Sequence, residues 1–404
     1  MMNLQSGKLY WNETVEKTPS YPKLEENITC DVLIIGAGSS GAQAAYLLKD
    51  SGLDIVVVDK RKVGTGSTST NTSLIQYLGD KTVTQLVNTF GEEKTFRHFK
   101  LCEQGIKEIE EISNSLPINP DYIKRDSLYY ASYEEDLEGL QSDYSYLQKH
   151  GFHVDWLDEE QIAEKYLFKK RAAIYSYNDG EMNPLKYVYG LLESCKESGV
   201  KIYEETEING KTLRKEKAIF YTQGHHEIKA KHVIVACGYE SLEFKKEKNA
   251  VIESSYAMVT TPVADFSSWH KRTLIWETAR PYIYMRTTQD NRIIIGGLDE
   301  STDDAEKRDN KIIHKRDQLL GEFRKLFPNI HVEAEYYLGA YYGGTHDGLP
   351  IIGKYEEFPN CYYIYGYGDN GTVYNYVLGK IVVDLIKYGK SDDLDLYLQS
   401  RPHT

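Results

Sequence analysis

Long apolar runs are missing from this 404-residue chain. No stretch approaches the ~18 apolar residues that a membrane-crossing helix needs, so no integral membrane segment is expected. The polar first residues, MMNLQSGKLYWNETVEKTPSYPKLEEN, lack a signal-peptide core. Cysteine is sparse: Cys30, Cys102, Cys195, Cys237 and Cys361 are scattered, with no CxxC and no Cys/His cluster of zinc spacing. That excludes a disulfide framework, predicts no metal site, and fits a reducing cytoplasm as the expected location. Basic charge is in deficit, with 48 Lys+Arg against 61 Asp+Glu and a net charge of −13. A general polyanion binder is disfavoured, so no nucleic-acid partner is expected. Neither a G-x-S-x-G elbow nor a P-loop occurs, which leaves hydrolase and kinase chemistry without support. Internal repeats and low-complexity tracts are absent as well.

What is present is ordinary globular composition, 41% hydrophobic and 27% charged, in a length that suggests two or three domains. Tyrosine is the outlier, with 34 copies against 11 Phe and 4 Trp. Residues 1–26 read as an extended lead. Val32–Ile35 and Ile55–Val58 read as short buried strands flanking a helix that Gly52 stops, which makes a βαβ unit. Residues 80–115 read as helical and 122–133 as strand. Residues 184–198 read as a helix with Pro184 in its first turn. Residues 200–237 read as short strands with turns at Asn209-Gly210 and Gly224. Residues 251–299 are strand-rich, 308–327 helical, and a last helix runs from about Val373 to Lys387.

Gly36-Ala37-Gly38-Ser39-Ser40-Gly41 fits GxGxxG between a strand and a helix, and Asp59 ends the next strand. Gly36 permits the tight turn, Gly38 lets backbone approach a pyrophosphate, and Gly41 allows helix–strand packing. The helix start offers free N–H groups and a positive dipole to phosphates, and Asp59 can accept from a ribose. FAD and NAD remain open on this fingerprint alone. Residues 64–73, GTGSTSTNTS, form a run of small and polar residues suited to a hydroxyl-rich cradle.

With these motifs in order, the chain resembles the D-amino-acid oxidase (DAO) superfamily of FAD-dependent oxidoreductases. The resemblance rests on DVLIIGAGSSGAQAAYLL, GTGSTSTNTSLI, NDGEMNPLKYVYGLL, KHVIVACGYES, and GTHDGLPIIG followed by GYGDNGTVYNYVLGKIVVDLI. Its look is nearest the glycine oxidase and γ-glutamylputrescine oxidoreductase types. It implies a mixed α/β fold: a Rossmann-like FAD-binding domain of the glutathione-reductase type, and a second, antiparallel-sheet substrate domain. The expected boundaries are 27–120, 165–250 and 335–404 for the FAD part, with 121–164 and 251–334 for the substrate part. It also implies non-covalent FAD held by Gly36, Gly38, Ser39, Ser40, Gly41, Asp59, Lys60, Gly66, Ser67, Thr68, Asn71, Thr72, Ile208, Ala236 and Gly238. Asp347, Gly348, Asp369, Asn370, Gly371 and Thr372 are implied at the isoalloxazine end.

Departures from the family pattern bear on substrate. Tyr342 and Asp369 stand where glycine-oxidase-like chains carry carboxylate-binding arginines, which favours a cationic amine over a simple α-amino acid. Arg286 keeps the family's arginine position and could bind an acid or make a structural salt bridge. Tyr256, Tyr282, Tyr284, Tyr342 and Tyr367 are candidates for the substrate cavity. Ala340 and Thr70 replace residues that anchor FAD covalently in some relatives. No lysine precedes Gly296-Gly297, so the electron acceptor, O2 or another, stays open. The expected reaction is C–N oxidation of a small-molecule amine by hydride transfer to flavin N5, the imine then being hydrolysed. Dehydrogenation of a hydroxy acid, and a non-catalytic flavin subunit that needs a partner chain, are the alternatives.

Overall fold

Val32, Leu33 and Ile34 are fully buried, as are Val56, Val57 and Val58, because both faces of their sheet are covered. The structure, a computed structural model, describes residues 2–79, 81–214 and 217–402. Strand Ile28–Ile35 lies between Ile55–Val58 and Glu227–Val235, all parallel. Lys201–Tyr203 extends one side of this sheet, and Cys361–Tyr365 with Ile351–Gly353 extends the other. Helices Ser39–Leu48, Pro184–Glu197 and Gly371–Tyr388 pack together against it. Pro184 sits in the first turn as expected, and the Asn183 side chain accepts from the backbone N–H of Leu185 and Lys186, both at 3.1 Å.

A second, mainly antiparallel sheet of ten strands holds Ala250–Thr260, Leu274–Glu277, Ile283–Thr287 and Ile293–Glu300. Helix Ile312–Leu326 covers it, with Leu319 and Phe323 fully buried. Ala172–Glu181 and Ala334–Thr345, which the sequence places in the FAD part, hydrogen-bond into this second sheet. These long strands pair with Ile123–Tyr130 and Ala250–Thr260, and pairing partners of that kind are set by topology rather than by local pattern.

Local expectations meet three corrections. The 80–115 segment is two helices, Val83–Phe90 and Glu92–Ser115, divided at Gly91, whose φ is 80°. Asn209-Gly210 is no turn, because both residues lie inside strand Ile208–Leu213, where Gly210 pairs with Tyr221. The lead is not merely extended: Gln5–Lys8 adds an edge strand beside Ala334–Thr345, and Trp11–Thr14 forms a single 3-10 turn. Its apolar side chains carry the docking, with Tyr10 5% and Trp11 6% exposed.

Candidate active site

An elongated cleft opens where the two sheets meet, and the glycine turn forms one end of it. Gly36 adopts a φ of 106°, and a Cβ there would stand 2.3 Å from the Ala236 carbonyl oxygen. A Cβ on Gly41 would stand 1.8 Å from the Gly36 carbonyl oxygen. Only glycine permits this closeness, so the turn leaves Gly38, Ser39 and Ser40 on the cleft wall. Asp59 lines the same wall, but its carboxylate is already at work. It accepts from Ala37 N–H at 2.7 Å and Arg61 N–H at 2.8 Å, and so locks the turn. Burial pushes its pKa up, against the pull of those two N–H groups. Lys60 and Arg61 both grip buried Glu240, at 2.9 and 2.7 Å, and Glu240 lies next to the Ala236–Gly238 segment. Burial raises the Glu240 carboxyl, yet the two cations hold it below its ordinary range. Arg61 and Glu240 escaped the sequence reading, since nothing local marks two residues so far apart as partners. Thr206, Glu207 and Ile208 close this end.

The hydroxyl-rich segment folds as a 3-10 turn, Ser67–Thr70, laid against the helix start. Thr68 Oγ1 accepts from Ser39 N–H at 3.1 Å, and Asn71 Nδ2 donates to Thr372 Oγ1 at 3.1 Å. The lead braces the segment from outside. Trp11 Nε1 donates to the Asn71 carbonyl at 2.8 Å, and Gln5 Nε2 donates to the Thr65 carbonyl and Ser69 Oγ at 3.1 Å each. Gly66, Ser67, Thr68, Asn71 and Thr72 all line the cleft. From the other side comes the start of helix Gly371–Tyr388, which presents Asn370 and Gly371. Its N-cap makes no side-chain capping bond, so the first-turn N–H groups and their partial positive charge are left for a ligand.

At the far end the wall becomes aromatic and acidic. Tyr239, Trp276, Tyr282, Tyr284, Tyr342 and Tyr367 line it together with Asp299 and Asp369, and Tyr239 and Tyr284 feel both carboxylates. Tyr342 and Tyr282 both donate to Asp369 Oδ1, at 2.7 and 3.1 Å. Tyr284 accepts from Thr72 Oγ1 at 3.2 Å, and Tyr367 donates to the Gly238 carbonyl at 3.1 Å. Burial pushes the hydroxyl pKa values of Tyr239, Tyr284 and Tyr367 up, so these groups stay neutral. Among the described lining residues, the only Lys and Arg are Lys60 and Arg61, at the opposite end.

Five expected site residues stand elsewhere. Gly41 packs behind the turn against the Gly36 carbonyl and does not line the cleft. Arg286 is 2% exposed and off the cleft wall; it donates to the carbonyls of Thr72 (2.6 Å) and Met182 (2.8 Å) and lies 3.9 Å from Glu181. It is a structural clasp behind the hydroxyl segment, because its donors are taken by backbone. Asp347 is bound on both oxygens by Arg401, at 2.7 and 2.8 Å, and does not line the cleft. Gly348 borders a neighbouring cavity that shares Gly79, Tyr342, Gly368 and Asp369 with the cleft. Thr372 lies behind the wall, joined to Asn71. Tyr256 touches the cleft, but its ring sits in the core under helix Ile312–Leu326, with Lys315 Nζ 5.1 Å from its centroid.

The residues present fit a dinucleotide cofactor: a glycine turn that a Cβ would fill, a hydroxyl-lined middle, and an uncapped helix start at the far end. Comparison with known proteins agrees. The family described as "FAD dependent oxidoreductase", DAO, matches residues 31–385. Gamma-glutamylputrescine oxidoreductase of Escherichia coli is 21% identical over 98% of this chain and 92% of that protein. YhfW, a Bacillus subtilis protein named for a Rieske 2Fe-2S centre, is 26% identical over 57% of this chain, which spans only 44% of that relative's length. Glycine oxidase from Geobacillus kaustophilus has the same fold, with a TM-score of 0.77 at 19% identity over 93% of this chain and 99% of that one.

Proposed function

The chain belongs to the DAO family of FAD-dependent oxidoreductases, and from that premise we propose that it oxidises the C–N bond of a cationic amine. The observation that carries the substrate class is the far end of the cleft, which two aspartates and six aromatic rings line and where no arginine is among the described lining residues. An amino-acid or hydroxy-acid carboxylate would meet Asp299 and Asp369 there, and no Lys or Arg is among the described residues of that part of the wall. An ammonium meets a carboxylate and several π faces.

FAD held here would supply the oxidant, a hydride acceptor for the carbon beside nitrogen, and water would hydrolyse the imine product. The chain's own residues bind, orient and shield. Gly36–Gly41, with Asp59 beneath, would hold the ADP half of the cofactor, and Ser67–Thr72 would hold its middle. The start of helix Gly371–Tyr388 would hold the isoalloxazine end and supply partial positive charge there. Tyr342 and Tyr282 hold Asp369 Oδ1 on one side, which fixes the carboxylate for a substrate ammonium. Tyr284 and Tyr367 wall the pocket against bulk water. Ala340 on the cleft wall and Thr70 in the hydroxyl segment carry neither a thiol nor an imidazole, which supports non-covalent attachment.

The test is an anaerobic screen of amines, amino acids and hydroxy acids for bleaching of the bound flavin, followed by admission of O2. Cationic amines should bleach it while simple α-amino acids do not. Bleaching by hydroxy acids alone would replace this reading, and the rate of recolouring identifies O2 or another compound as acceptor.

A further inference from the structure

Behind the cleft wall lies a buried acid that the chemistry above does not use. Asp179 is 1% exposed, on strand Ala172–Glu181. A bulge turns it inward: Asn178 takes a φ of 66°, and the pairing with strand Ile123–Tyr130 shifts register between Arg125 and Ser127. Its Oδ2 accepts from the hydroxyls of Ser127 and Ser176, the latter at 3.2 Å. Its Oδ1 makes no hydrogen bond of good geometry among the described residues. Ser127 Oγ in turn accepts from Gln76 Nε2 at 2.9 Å, and Gln76 lines the cleft. A hydrogen-bonded chain therefore runs from Asp179 through Ser127 to an amide on the wall.

Gln76 stands beside Leu78 and Gly79, at the end where the C-terminal helix begins. Asn370 Nδ2 donates to the Leu78 carbonyl at 2.7 Å, and the Cβ direction of Gly79 leads to Asp369 Oδ2 at 3.1 Å. With Asp179 ionised, Ser127 must donate to it and accept from the Gln76 amino group, so the amide carbonyl is left for the cleft. With a proton on Asp179 Oδ2, that O–H donates to Ser127, whose hydroxyl turns to Gln76. The amide must then offer its carbonyl to the serine and its amino group to the cleft. The proton comes from solvent and no covalent bond changes.

We propose that Asp179 is a positioning residue of the cleft: the proton it holds decides, through Ser127, whether Gln76 shows its carbonyl or its amino group to the isoalloxazine end of the cofactor. The inference rests on the reading that this end of the cleft holds the isoalloxazine. Burial supports it by lifting the Asp179 carboxyl to about 7, with help from Asp126 and against the pull of Ser127, Ser176 and the Tyr77 backbone N–H. The other groups facing it are Arg125, whose guanidinium goes to Glu181 at 2.8 Å, and the hydroxyls of Tyr77 and Tyr122. Glu103 lies beyond Tyr77 on helix Glu92–Ser115.

The experiment uses the full chain loaded with FAD and two readouts across the neutral pH range: the carboxyl signal of Asp179 by isotope-edited infrared spectroscopy, and the visible spectrum of bound flavin. Both should titrate with one midpoint near neutrality. Asp179→Asn should abolish both responses. Ser127→Ala should keep the carboxyl titration and abolish the flavin response, which a merely structural role for Asp179 would not produce. A carboxyl ionised throughout overturns the proposal. So does a flavin response that survives in either variant. A titrating carboxyl with a flat flavin spectrum overturns it too, and leaves the amine-oxidation reading untouched.

Discussion

Asp369 gathers two tyrosine hydroxyls on one oxygen, and in the proposed amine reaction it is the residue on which substrate charge turns. Asp369→Asn keeps the shape and removes the charge. For an amine that bleaches the flavin, it should raise KM roughly tenfold to a hundredfold, matching the ~1.5–3 kcal/mol of a hydrogen bond to a charged group. Steady-state kinetics across the pH range would check it, and an unchanged KM for cationic amines would remove Asp369 from substrate recognition. Gly41→Ala tests the other end of the cleft. Its Cβ would lie 1.8 Å from a backbone oxygen, so the turn must open and the purified protein should retain little FAD, read as the ratio of flavin to protein absorbance. The glycines were legible in the sequence because their constraint is local, a matter of backbone angle and one missing Cβ. The tasks of Arg286 and Asp347 were not legible, because a charged residue's task depends on which partner the fold brings to it. Carbonyls reached the first and Arg401 the second.

Two elements hold the cleft from outside it. The N-terminal lead reads as a polar extension, yet it supplies a strand edge and a buried indole against the hydroxyl segment. Trp11→Ala should cost about 3–5 kcal/mol, seen as a lower denaturation midpoint, and should loosen FAD because Asn71 loses its brace. The C-terminal tail is tied by Arg401 to Asp347. Burial raises the Asp347 carboxyl, but the guanidinium more than offsets this and holds it below the usual carboxylate range. A depressed folded-state pKa stabilises above the unfolded value of 3.8 and is lost as pH falls through the folded one. Arg401→Ala takes the guanidinium from a buried carboxylate, so it should destabilise at neutral pH by ~3–5 kcal/mol and less in acid. Unfolding curves at two pH values measure this, and equal losses at both would refute the assignment. Helix boundaries showed the same division. Asn183-Pro184 marked a true start because cap chemistry is local. Asn209-Gly210 did not make its turn because strand pairing overrode a local preference.

At the scale of the molecule, cleft residues come from both sheets, so a cofactor bound there bridges them. FAD at a hundredfold excess over its Kd should add ~2.7 kcal/mol and raise Tm, whereas adenosine alone, touching one end, should add far less. A thermal shift with FAD no larger than with adenosine would mean that the isoalloxazine end is not engaged. The tyrosine excess divides along the same lines. Tyr363 and Tyr365, 1% and 0% exposed, pack in the core of the parallel sheet, while Tyr282, Tyr284, Tyr342 and Tyr367 line the cleft. By itself the sequence determined the βαβ nucleotide unit, the glycine turn, the hydroxyl segment and the last helix, because spacing, caps and glycine constraints act over a few residues. Only the tertiary structure decided that Tyr342 and Tyr282 meet at Asp369, that Arg61 serves Glu240, and that Asp179 stands behind Gln76. Those contacts join residues distant in sequence, and burial and charge pairing between them exist only once the chain has folded.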